Sequence, residues 1–206
     1  MQVCGVDEAG RGSLVGPLVI AGVSINRSKI RKLKSMGVRD SKKLTPSQRE
    51  KLYKKIIKFA DNYYVAKINP STIDRSVNKH DLNNLEAKYM AKVISKLNPN
   101  ISYVDSCDVN PSRFGKKISK LAKNNIVKSY HHADSKFVIV SAASIIAKVN
   151  RDRAIQNLRK KHNIGSGYPS DPKTKRFVKN YYHNMNKIPN FVRSSWKPVR
   201  IMLNEN

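Results

Sequence analysis

The stretch "GVDEAGRG", residues 5–12, places two adjacent acids, Asp7 and Glu8, at the end of the first apolar run of a chain that holds 41 Lys and Arg against 14 Asp and Glu. Acids are scarce here. A pair of them between apolar residues and glycines calls for a partner, and a divalent cation, with its preference for oxygen ligands, is the first to consider. The following Gly10-Arg11-Gly12 adds a second demand, because residues without Cβ let backbone groups approach a sugar edge while Arg11 between them can reach a phosphate.

Outward from this stretch, residues 2–7 and 17–25 read as two strands of a hairpin, and 61–68 as a third strand. Thr45 and Pro46 form an N-cap and first-turn pair for an amphipathic helix with Leu52, Ile56 and Phe59 at helical spacing. A second helix over 81–97 stops at Asn98-Pro99-Asn100. Then follow a strand (101–105), a helix (111–123), a strand (125–131) and one long helix from Ser135 to Lys161. That helix is apolar on nearly all sides in its first half, which predicts central burial. The residues beyond it read as loops and short helices. The expected class is α/β: a mixed sheet with helices on its faces, and a ligand site at the carboxyl ends of its strands.

Asp7 and Glu8 close strand one, Asp105 closes strand four and Asp134 lies just past strand five, so all four carboxylates fall on one rim. Setting Asp7 beside Asp105 on parallel strands separates Cys4 from Cys107 by roughly 16 Å, beyond the reach of a disulfide. Two reduced thiols are expected. Adjacent strand residues point to opposite faces, so Glu8 is expected to join Asp7 because Gly10 lets the chain leave the strand.

Clustered carboxylates raise one another's pKa, and hard cations relieve that conflict. Two such ions roughly 3.5–4 Å apart make the clamp used for in-line phosphoryl displacement. The net charge of +27 over 206 residues favours an extended polyanion as partner. No run approaches a membrane span and no charged-then-apolar leader opens the chain, so a soluble, cytoplasmic protein without a membrane partner is expected. The rival reading is a non-catalytic basic nucleic-acid-binding protein. It leaves four rim acids unexplained, since acids repel a phosphate backbone.

The segments "GVDEAGRG", "DSKKLTPSQRE", "SYVDS", "HHADSKF", "SAASIIAKVNRDR", "GSGYPSDPKT" and "RSSWK" occur in this order and span essentially the whole chain. Together they resemble type 2 ribonuclease H (ribonuclease HII) in its compact archaeal form. The resemblance implies a single ribonuclease H-like catalytic domain over 1–206, with a C-terminal helical extension from about residue 153. It implies cleavage of RNA in RNA/DNA hybrids and on the 5′ side of ribonucleotides embedded in duplex DNA, leaving 3′-hydroxyl and 5′-phosphate ends. The implied cofactor is Mg²⁺ or Mn²⁺, two ions during catalysis, held by Asp7, Glu8, Asp105 and Asp134.

By the same resemblance Gly10, Arg11 and Gly12 surround the ribose 2′-hydroxyl and Tyr168 packs against the neighbouring sugar. Ser41, Lys42, Lys148 and Arg151 match phosphate-holding positions; Lys148 and Arg151, three apart on one helix, are expected to share a face. Asp134, just before a helix, also suits an N-cap. A type 1 enzyme lacks this opening motif, and a type 3 enzyme carries an N-terminal domain for which the four residues before Gly5 leave no room. "PVRIMLNEN" does not resemble the Gln-plus-paired-aromatic motif of sliding-clamp ligands, so a clamp partner is unsupported; a monomer is expected.

Overall fold

A computed structural model describes residues 1–39, 41 and 44–204, and these divide into two compact units. The strands are β1 (Gln2–Ala9), β2 (Leu18–Asn26), β3 (Asn62–Ile68), β4 (Ile101–Asp105) and β5 (Ile126–Tyr130). After a 3₁₀ turn at Arg27–Lys29 the helices are α1 (Ile30–Ser35), α2 (Pro46–Phe59), α3 (Pro70–Val77), α4 (Leu82–Leu97), α5 (Pro111–Leu121), α6 (Ala133–Lys136), α7 (Val138–Arg159), α8 (Pro172–Met185) and α9 (Lys197–Asn204).

The first unit comprises Met1–Ala9, Val19–Ala66 and Asn83–Val149. Its sheet has the order β3-β2-β1-β4-β5, with β1 antiparallel to β2, parallel to β4, and β4 parallel to β5. The expected mixed sheet is present, with helices packed on it. As the middle strand, β1 is buried from Val3 to Asp7, which explains its apolar run. A Cβ on Gly5 would meet the carbonyl oxygen of Ile139 at 2.2 Å, so only glycine lets the start of α7 lie this close to the strand. Val19, Ala21, Val23 and Ile25 of β2 share one apolar core with Leu52 and Ile56 of α2 and Ala142, Ala143 and Ile146 of α7.

Local signals account for α2. Thr45 accepts from the Gln48 N–H, the Gln48 side chain returns the bond, and Pro46 opens the first turn. The expected long helix from Ser135 is instead two helices. Phe137 is extended between α6 and α7, with φ −126° and ψ 114°, and its ring packs 4.6 Å from Tyr103 and 5.1 Å from Tyr130. Aromatic packing on Tyr103, in the middle of β4, and Tyr130, at the end of β5, overrides helical continuity at that residue.

The second unit comprises Gly10–Leu18, Lys67–Leu82 and Asn150–Asn206. Leu14, Val15, Ile155, Ile164, Val178, Val192, Val199 and Met202 form its core, with Trp196 packed against it. Asp74 of α3 accepts from the backbone and hydroxyl groups of Ser194 and Ser195. The tail expected as loops and short helices includes the 14-residue α8, capped by Asp171 and opened by Pro172.

Both cysteines are free thiols, and Cys4 aligns with Ser102, five residues before Cys107. Burial pushes the Cys4 thiol up to about 12, which leaves it protonated and unreactive. Among the described residues no helix is long and apolar enough to cross a membrane.

Candidate active site

The carboxylate cluster belongs to the first unit. Register does most of the work: Val6 aligns with Val104, so the next residues, Asp7 and Asp105, lie level where the two parallel strands end their pairing. One oxygen from each of Asp7, Glu8 and Asp105 lies within 4.8 Å of the others. The strand extends two residues past the expected 2–7, and the chain leaves it at Gly10, as expected. It runs to Ala9, with Glu8 still opposite Ile20 and Ala9 opposite Val19 on β2. Past Val6, β1 keeps its ladder on the β2 side, and the longer, half-buried Glu8 side chain reaches the cluster while its own residue is still in the strand.

Asp7 is only 4% exposed. Burial first, and then the neighbouring Asp105 carboxylate, push its carboxyl up from 3.8 to about 7. A hydrogen bond with Ser144 and the Glu8 N–H, 2.7 Å from Asp7 Oδ1, offset part of this, while Asp134 adds to the rise. An all-oxygen donor set in which burial and a neighbouring carboxylate oppose the ionisation of Asp7 is what a hard divalent cation stabilises, so these residues fit such an ion.

Asp105 Oδ1 also accepts from the backbone N–H of Ala133 at 2.6 Å. The capping contact expected of Asp134 therefore comes from Asp105. Asp134 lies inside the first turn of α6, buried, and is close enough for its charge to act on Asp7. It is not one of the three acids whose oxygens lie within 4.8 Å.

One face of α7 supports the cluster. Ser141, Ser144 and Lys148 follow one another at helical spacing. Ser141 donates to the Asp134 carbonyl, and Ser144 holds Asp7 and shares a 2.9 Å hydroxyl contact with Ser41. These two serines had no role in the sequence reading, although hydroxyls three apart in an otherwise apolar helix are a visible signal. Ser41, expected to hold phosphate, is buried at 4% exposure, and its carbonyl accepts from Arg49. Lys42 lies outside the described residues. Lys148 is half-exposed.

The glycine-flanked arginine belongs to the second unit. Gly10 has φ +88°, and a Cβ there would lie 3.0 Å from the Pro17 carbonyl and 3.2 Å from the Arg151 side chain. Gly12 differs: it is exposed, and nothing lies within 4 Å of the position its Cβ would take. No intramolecular contact demands glycine at 12, and the open position leaves its backbone approachable from outside. The turn is tied to the segment around Tyr168 by the N–H groups of Leu14 and Val15, which donate to the Gly167 carbonyl at 2.7 and 3.2 Å.

Arg151 does not share the exposure of Lys148. It is 2% exposed, donates to the Ser166 carbonyl at 2.8 Å, and lies 4.2 Å from the centre of the Tyr168 ring. It supports a half-buried Tyr168 from beneath. Asp171 fixes the same turn by accepting from Ser166 N–H at 2.6 Å, and such bonds hold its carboxyl down at about 2.

Residues 4–199 match the family model described as Ribonuclease HII. The chain is 60% identical over 202 residues to the ribonuclease HII of Cenarchaeum symbiosum, covering 98% of each. The crystal structure of ribonuclease H2 from Pyrococcus horikoshii superposes with a TM-score of 0.93 at 46% identity over 100% of both chains. A ribonuclease HII from Archaeoglobus fulgidus, solved in a complex with PCNA, superposes with a TM-score of 0.87 at 40% identity over 96% of both.

Proposed function

The chain belongs to the ribonuclease HII family, endoribonucleases of RNA/DNA hybrids, and from that premise we propose that it also cuts duplex DNA on the 5′ side of embedded ribonucleotides, with Asp7, Glu8, Asp105 and Asp134 holding two divalent cations, Mg²⁺ or Mn²⁺. The observation that carries this reading is the carboxylate cluster itself. A protein of net charge +27 gathers three of its few acids within 4.8 Å of one another and leaves Asp7 with a carboxyl at about 7. A basic protein that only bound nucleic acid would gain nothing from placing repelling acids together.

Bound there, the cations would activate the attacking water and neutralise charge on the leaving oxygen, giving 5′-phosphate and 3′-hydroxyl ends. The chain's own groups do the rest. Ser144 and the Glu8 N–H orient Asp7, and the Ala133 N–H orients Asp105. Lys148, half-exposed one turn beyond Ser144, supplies a cation for a backbone phosphate, as Lys42 does in the same reading. Ser41 acts through Ser144, to which its hydroxyl is bonded.

In the second unit, Gly10, Arg11 and Gly12 surround the 2′-hydroxyl, which is the feature that distinguishes RNA from DNA locally. Tyr168, stacked on Arg151, packs against the adjacent sugar. Every group in this scheme comes from one chain, which supports a monomer as the working unit. The complex with PCNA is a property of the Archaeoglobus fulgidus relative.

The test is an end-labelled gel of three duplexes: one with a single ribonucleotide, one continuous RNA/DNA hybrid and one all-DNA, each with Mg²⁺, Mn²⁺ or chelator. Metal-dependent cutting 5′ of the single ribonucleotide, with all-DNA intact, is expected. Equal cutting of all-DNA refutes the 2′-hydroxyl reading.

A further inference from the structure

Arg193 is fully buried in the second unit, yet its guanidinium is spent on backbone carbonyls of the turn that follows Gly10. Nε and Nη2 donate to the Gly16 carbonyl at 3.2 and 3.1 Å, and Nη1 donates to the Arg11 carbonyl at 2.7 Å. The same segment also holds the turn by its backbone. Arg193 N–H donates to Leu14, Gly16 N–H donates to Phe191, and Val15 bridges Val192. The Trp196 ring lies 5.3 Å from the guanidinium carbon.

Only a planar fork can grip two carbonyls five residues apart in this way; a lysine ammonium is a single point with freely rotating donors. Burying that charge is costly, and a well-packed apolar side chain often serves stability as well or better. The position of Arg193 is therefore better explained by the geometry it imposes than by the stability it adds.

The geometry has one direct consequence. In a trans peptide the C=O and the following N–H point in opposite directions. With the Arg11 carbonyl pinned inward on Arg193, the Gly12 N–H points away from the buried guanidinium, at the exposed residue whose Cβ position is open. Donation to the carbonyl also polarises the peptide and strengthens that N–H as a donor. The Gly10 carbonyl, meanwhile, is taken by the Ser13 N–H and hydroxyl at 3.3 and 2.8 Å.

We propose that Arg193 is the positioning residue that fixes the Arg11–Gly12 peptide plane and thereby aims the Gly12 N–H at the substrate sugar; this rests on the 2′-hydroxyl reading above. Arg193 touches no substrate and acts through the turn.

The test uses the full chain as wild type, Arg193→Lys and Arg193→Met, the last removing the buried charge altogether. For each, three quantities are measured at 25 °C on the single-ribonucleotide duplex: the single-turnover rate at saturating enzyme, the duplex Kd in Ca²⁺ or chelator, and the melting-temperature rise on adding Mn²⁺. The expected result is a rate at least tenfold lower in both variants, with Kd within about threefold of wild type and the metal-induced shift intact. A merely structural role would lower the melting temperature but leave the rate of the folded protein unchanged, and that outcome overturns the proposal. Failure of both variants to fold would assign Arg193 to stability and overturn it too. A wild type that does not cut the single-ribonucleotide duplex, by contrast, refutes the functional reading itself and not the role of Arg193 alone.

Discussion

Removing the charge at Asp7 should stabilise the metal-free protein, and the gain should appear only as pH rises. Burial and Asp105 lift this carboxyl from 3.8 to about 7. Between those values the unfolded chain has released the proton that the folded chain retains, so each pH unit costs the fold about 1.4 kcal/mol. Over about three units the penalty approaches 4 kcal/mol at pH 7 and above, shared with the carboxylates that titrate alongside it. Asp7→Asn keeps Oδ1 as acceptor for the Glu8 N–H and deletes the titration. Urea unfolding in chelator, at half-unit steps from pH 4 to 8, should show the variant equal to wild type near pH 4 and progressively more stable above it. For a chain of this size the full difference corresponds to a melting-temperature gap on the order of 10 °C. Asp61 and Asp108, whose carboxyls are held low by Lys29 and by Asn110, contribute with the opposite sign, but equally in both proteins. Adding Mg²⁺ or Mn²⁺ above Kd should then raise wild type by linkage and leave the variant nearly unmoved. A difference between the two that stays constant from pH 4 to 8 would refute the reasoning.

Gly12→Ala should melt within about 0.5 kcal/mol of wild type and still lose most cleavage, because its Cβ meets nothing in the chain. Gly10→Ala, at φ +88°, should cost about 1–2 kcal/mol by calorimetry as well; a Gly12→Ala enzyme of full activity would remove that residue from the site. Tyr168→Ala should slow single-ribonucleotide cutting more than cutting of a continuous hybrid, and identical ratios would return the ring to packing on Arg151. Lys148→Ala should weaken binding and lower the slope of log K against log salt by about 1, with much of the rate restored at saturating substrate; unchanged binding with a collapsed maximal rate would place it in the chemical step.

The parts legible from sequence were those specified locally. The capping residues of α2 and the bounds of β4 are written in adjacent positions, and setting Asp7 beside Asp105 on parallel strands matches the observed register. What escaped reading depends on distant partners. Phe137 sits in helical sequence and is extended because Tyr103 and Tyr130 receive its ring. Glu8 joins the cluster with the strand intact, which alternation along an isolated strand does not predict. Arg193 is one basic residue among 41, and nothing local marks it as the one buried against carbonyls 177 and 182 positions away. The onset of α8 is the exception: it escaped the reading of loops and short helices although its signal, Asp171 as cap and Pro172 in the first turn, is local.

The bond from Ala133 N–H to Asp105 places two selective pressures on one carboxylate. Asp105 contributes an oxygen to the acid cluster and also anchors the first turn of the helix that carries Asp134. Loss of a charged acceptor for a buried N–H costs roughly 1.5–3 kcal/mol. Mutational drift at this position is thus constrained even in a lineage released from catalysis. Asparagine, which keeps the acceptor, is an accessible exit to an inactive but intact scaffold, whereas alanine gives up the chemistry and the helix anchor in one step.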